Sequence, residues 1–145
     1  MTLAIETAVR GVAEVLRDRV APTLDDGYAI EAVRLSAMML TMMANAADDA
    51  VVLRVAENGQ LRALFGEAAG IVDDATLSAR LEEAARSSDP GLRISELDRE
   101  TDRLRRLLVA LQIQLEAQAD EQATILGQRI WRMLRDIEAS RAPRR

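Results

Sequence analysis

Along residues 30–47, IEAVRLSAMMLTMMANAA, apolar side chains fall on nearly every side of a helical wheel. Gly and Pro are absent from this stretch, and the Ala, Leu and Met that dominate it are strong helix formers. Asp25 and Asp26 precede it and can cap its free backbone N–H groups. A helix that is apolar all round belongs in the middle of a fold, so a buried central helix is expected over about residues 28–47. Among its few polar residues, Glu31, Arg34, Thr41 and Asn45 are spaced by three, seven and four. They therefore share one narrow stripe, facing water or a polar pocket. Met38, Met39, Leu40, Met42 and Met43 occupy the rest of the surface. The stretch is too short and too polar to cross a membrane, which takes about 20 predominantly apolar residues.

The same periodicity predicts helices on either side. Ile5, Ala8, Val9, Val12, Leu16 and Val20 form one apolar face of a helix from about residue 3 to residue 20, with Thr2 as its cap. Pro22 stops that helix, because the residue before a proline avoids the α region. The short turn at residues 23–27 makes the first two helices antiparallel neighbours. Beyond the central stretch, residues 51–55 are the one strand-like run, and Asn58-Gly59 is both a hairpin signal and a helix C-cap signal. No other strand exists to complete a sheet, which favours helix up to Asn58 and a new helix over about residues 60–69. After a break at residues 70–74, Asp73 or Asp74 caps a short helix ending at Arg86, with Leu77 and Leu81 inward.

Ser87-Ser88-Asp89-Pro90-Gly91 is the clearest loop, a hinge at about residues 87–94 inside a single helical domain of residues 1–145. Ser95 and Asp98 resemble a capping box. Leu97, Leu104, Leu108, Leu111 and Leu115 follow a three–four spacing with Thr101 in the gap, and Leu126, Ile130, Leu134 and Ile137 resume it out of phase. One unbroken helix over residues 95–139 would be ~67 Å long. The radius of gyration of a domain this size is only ~15 Å. The helix must break near Ala119-Asp120, or project and pair with another copy. The expected fold is all-α: a five- or six-helix bundle around the buried central helix, with a long or kinked C-terminal helix.

Composition narrows the chemistry. The chain has 145 residues, enough for one domain with a real core, and its aromatics are Tyr28, Phe65 and Trp131 alone. There is no Cys for disulfide or thiolate chemistry and no His, the commonest general base and metal ligand. Every basic residue is Arg, which reads as the base composition of GC-rich bacteria. The net charge of −5 favours solubility and argues against non-specific nucleic-acid binding. The N-terminus lacks the basic and apolar regions of a signal peptide, so a cytoplasmic location is expected.

An all-carboxylate Mg²⁺ site of the Glu-x-x-Glu kind needs acids one turn apart, and here no Glu has an acid at i+3. Instead Glu14, Glu31, Glu83, Glu96, Glu100 and Glu138 have Arg at i+3, and Glu6 and Glu82 have Arg at i+4, the spacing of ion pairs on a wet helix face. Asp48-Asp49 and Asp73-Asp74 read as caps at helix starts. No phosphate-binding loop, dinucleotide fingerprint, nucleophile elbow or zinc-protease motif occurs. The C-terminus is locally basic, with Trp131 among Arg129, Arg132 and Arg135, which fits a helix junction or dimer contact.

The segment V-L-R-D-R-V-A-P-T-L at residues 15–24, Arg34, and the apolar run at residues 35–43 resemble a family of small all-helical bacterial proteins of unknown function. These are encoded beside aminoglycoside-phosphotransferase-like enzymes. The resemblance covers about residues 9–66 and departs from the family at Met38, where Asn is usual. It implies a helical accessory partner of a kinase-like or acyl-CoA-linked enzyme, and no catalytic residue. Together these features predict a non-enzymatic helical interaction protein that self-associates as a homodimer, with an enzyme as a further partner. Its expected interface residues are Leu108, Leu111, Leu115 and Trp131. The runner-up is an apolar-ligand-binding bundle whose pocket is made by Arg34, Met38, Thr41, Met42 and Asn45. A metal-dependent enzyme with an all-carboxylate site comes third. No cofactor, resident metal, nucleic acid or membrane is expected as a partner.

Overall fold

Helical periodicity along the chain resolves into five α-helices in the computed structural model, which describes residues 4–142. They are α1 (Ile5–Val15), α2 (Gly27–Ala68), α3 (Ala75–Arg86), α4 (Ile94–Gln118) and α5 (Glu121–Ser140). No strand occurs among the described residues. Thr2, expected to cap the first helix, lies outside them. The chain divides into two compact units, the first ending at Ala50 and the second running over Val51–Ala142.

In the first unit, α1 widens into a π-helical turn (Leu16–Val20) and tightens into a 3-10 turn (Ala21–Thr23) before Leu24 leaves the helix in an extended conformation. Ala21, just before Pro22, is itself helical, so the proline does not end the helix where its neighbour rule suggested. The widened turn accommodates a ring that would otherwise clash with the carbonyl four residues back. The Asp26 carboxylate accepts from the Ala29 N–H at 3.0 Å and caps the start of α2. Arg10 Nη2 of α1 donates to Asn45 Oδ1 of α2 at 3.1 Å, a bond between the two helices. Ala37 and Ala44 are buried, Ile30, Val33 and Leu40 are half-buried, and Ala13 and Ala21 are buried on the other side. This three–four spacing is a narrow seam between two helices, closed by small residues.

The expected burial of residues 28–47 is therefore corrected. Leu35, Met38, Met39, Met42 and Met43 are all about half exposed, and Tyr28 is 85% exposed. Within this unit α2 meets one other helical segment, and one neighbour covers one stripe of a helix.

The second unit holds the apolar core. Leu61 and Phe65 from α2, Leu81 from α3, Leu104 and Leu111 from α4, and Leu126 and Ile130 from α5 are essentially without solvent contact. Four amphipathic faces thus close on one another, each contributing at three–four spacing. The break expected at Asn58-Gly59 does not occur: α2 runs straight through, and no described glycine has a positive φ. Asn58 is buried at 0% exposure, where its amide donates to Asp89 at 2.9 Å and its carbonyl accepts from the Thr101 hydroxyl at 2.8 Å. A side chain held by tertiary partners cannot serve as a turn. Asp48 and Asp49 likewise lie inside α2 and not at a helix start.

Helices α4 and α5 are separate elements joined at Ala119-Asp120. Ala119 adopts the left-handed conformation, with φ of 53°. Gln118 Nε2 donates to the Ile71 carbonyl at 2.9 Å and to Asp120 at 2.7 Å, and Asp120 caps α5 by accepting from the Ala123 N–H at 2.8 Å. Asp74 caps α3 in the same way. The capping box expected from Ser95 and Asp98 does not form, because Arg93, two positions before Ser95, precedes the first residue of α4, and Asp98 pairs with Arg54 of α2.

Candidate functional site

The five residues expected to make a ligand pocket lie on one side of α2, but their polar heads are engaged locally. Arg34 pairs with Glu31 at 2.9 Å, Thr41 donates to the carbonyl of Ala37 at 3.0 Å, and Asn45 accepts from Arg10. Met38 and Met42 lie open, not enclosed. At 100° per residue, Tyr28, Leu35, Met39 and Met42 sit roughly opposite the seam with α1, flanked by Met38 and Met43. The result is a largely apolar back face that also carries the exposed Glu31, paired with Arg34.

Three of the four expected interface residues are corrected. Leu108, Leu111 and Leu115 are buried in the core of the second unit, because α4 turns their stripe toward α2, α3 and α5. Trp131 is different: it is 67% exposed. It borders a groove of about 300 Å³ floored by Leu115, Ala119, Ala123 and Gly127, at the corner where α5 folds back along α4.

The second unit also contains a polar cluster that sequence reasoning missed. Arg62, 11% exposed along its side chain, donates to Asp89 at 2.9 Å and Glu100 at 2.7 Å, and its Nε reaches the Ser87 hydroxyl at 3.1 Å. Arg103 clamps Glu100 from the other side at 2.8 Å. The loop at residues 87–93 is thereby tied to α2 and α4. Glu57, 2% exposed, is held by Arg105 at 2.6 Å on one oxygen and by Arg141 on the other, which fastens the end of α5. The signal was present: Asn58 falls on the same helical stripe as Leu61, Phe65 and Ala68, and Thr101 interrupts the leucines of α4. Polar residues on a core stripe announce partners for one another.

Chemically the cluster is closed. No buried side-chain polar atom among the described residues lacks a hydrogen-bond partner. Each carboxylate whose pKa moves does so downward. Glu100 is held below the usual range by the Arg103 hydrogen bond, with Arg62 adding to it and burial opposing. Asp120 is lowered by the backbone N–H of Ala123 and by Gln118, Glu67 by Arg129, and Asp18 by Arg17. A general acid needs the opposite shift. Among the described residues no three acidic side chains gather where they could hold a metal ion, and no helix is long and apolar enough to cross a membrane. No family model, curated protein or solved structure matches the chain.

Proposed function

We propose that the chain is a non-enzymatic helical interaction protein that acts in the cytoplasm by associating with itself, its docking surface being the back face of α2 in the first unit. The observation that carries this is the exposure of Leu35, Met38, Met39, Met42 and Met43 on consecutive turns of one helix. Contiguous apolar patches on a typical monomer reach only ~300–600 Å² and are often functional at that size. Five half-exposed long side chains with Tyr28 beside them belong in that range. The sequence of α2 calls for apolar neighbours on most sides, and α1 supplies them on one. A second α1–α2 hairpin laid against the first supplies the rest, in the manner of a four-helix bundle. Met suits such a contact because its unbranched chain adapts to an irregular partner surface. The closed polar cluster and the downward carboxylate shifts support a structural role for the charged residues of the second unit.

Sedimentation equilibrium over a dilution series tests the proposal. The wild-type chain should associate reversibly. Replacing Met39 and Met42 together by Asp should shift it toward monomer by at least tenfold in the dissociation constant, since each buried Met contributes ~1.5–3 kcal/mol. A wild-type chain that stays monomeric at every concentration overturns the proposal.

A further inference from the structure

The groove at the α4–α5 corner lies in the second unit, and three features there are unexplained by the packing of the described residues. Trp131 is the sole tryptophan and is two-thirds exposed. Gly127 sits mid-helix in α5, where glycine weakens a helix, yet no atom lies within 4 Å of where a side chain would start. Among the described residues, nothing packed against that point requires a glycine. Third, Leu115, Ala119 and Ala123 floor an apolar groove of about 300 Å³ beside both residues.

We infer that this groove receives α5 of a second copy of the chain, each copy inserting its Trp131 into the groove of the other. The charges around it are self-complementary in one register. On α5, Thr124, Gln128, Trp131 and Arg135 lie along one stripe. In an antiparallel pair, the register that sets the incoming Trp131 opposite Thr124 sets the incoming Arg135 opposite Asp120. Asp120 belongs to the corner that also carries the exposed Glu116 and Glu121. The two-fold axis of that register passes between Gly127 and Gln128. Gly127 is then the point of closest backbone approach, which accounts for the missing side chain. A two-fold contact brings the same patch of each copy together, so opposite charges at the two ends of one stripe are what it requires. This inference shares with the proposed function the idea of self-association, but it uses different residues.

Trp131, as sole tryptophan, reports on its own burial. Its fluorescence should shift to the blue and lose most of its acrylamide quenching as the chain is concentrated, and both changes should reverse on dilution. Gly127→Glu places a charged side chain in open space on a helix, so helicity by circular dichroism should hold while the blue shift is lost. Arg135→Glu should weaken the shift severalfold, and adding Glu116→Arg to it should restore part of it. The Met39→Asp, Met42→Asp double variant should keep the Trp131 response. Emission that stays red and fully quenchable in samples that sediment as oligomers overturns this inference and leaves the α2 proposal standing. A Trp131 response that persists while the Met substitutions leave association unchanged does the reverse. A blue shift that survives Gly127→Glu places the tryptophan elsewhere and also overturns it.

Discussion

Ala119 is the one described non-glycine residue with a positive φ, and it forms the corner between α4 and α5. The left-handed conformation costs an L-residue roughly 1–2 kcal/mol, and glycine escapes that cost. Ala119→Gly should therefore stabilise the chain by about 1 kcal/mol, less whatever the freer unfolded chain takes back. Thermal denaturation followed by circular dichroism checks this; an unchanged or lower melting temperature contradicts it. Asn58 makes the opposite case. Its amide joins Thr101 to Asp89 and is itself without water contact. Asn58→Ala removes both bonds, although Thr101 keeps the Leu97 carbonyl and Asp89 keeps Arg62, and should destabilise by about 1 kcal/mol in urea denaturation. Glu100 governs the response to acid. Its folded-state pKa lies below its unfolded value. Its contribution to stability is therefore complete above the unfolded pKa of about 4.3 and is lost as pH falls through the folded one. The melting temperature should fall as pH drops below about 4. Glu100→Gln should be less stable at neutral pH and should show a smaller further loss in acid.

At the scale of elements, the helices themselves were readable in the sequence. The caps Asp26, Asp74 and Asp120 each accept the backbone N–H three residues on, as residues of that type at a helix start do. Leu77, Leu81 and the leucines of α4 point inward, as their spacing requires. Three things were not readable. The Asn58-Gly59 signal is local, and the competing pull on Asn58 comes from residues more than thirty positions away. Leu108, Leu111 and Leu115 form a stripe that would serve a core or an interface equally well, and only the packing of four helices decides between them. The all-round apolarity of residues 30–47 was visible, but it says how much cover the helix wants, not which chain supplies it. Of the candidate site, Trp131 alone among the four interface residues stayed at the surface. The groove beside it depends on the left-handed turn at Ala119; the sequence offered a break near Ala119-Asp120 but not its geometry. Gly59, exposed inside α2 with open space around it, gives a test at this scale. Gly59→Ala should strengthen the continuous helix by about 1 kcal/mol, whereas a cap or turn there would make it destabilising.

For the whole molecule, the two units divide the labour of the sequence. The second unit closes its core within one chain and ties its loop and C-terminal helix with buried ion pairs. The first unit is a two-helix hairpin with a seam of alanines and an open apolar back. Short helical hairpins gain most of their stability from tertiary packing, so the first unit should be the part whose helicity rises with protein concentration. The central claim is that a second chain covers the back of α2. Hydrogen peroxide oxidises accessible methionine to the sulfoxide, and peptide mass spectrometry reads each residue separately. Met38, Met39, Met42 and Met43 should oxidise slowly in concentrated protein and several-fold faster after dilution, while half-buried Met133 keeps one rate throughout. If all four oxidise at the rate of free methionine at every concentration, nothing covers that face and the account is wrong.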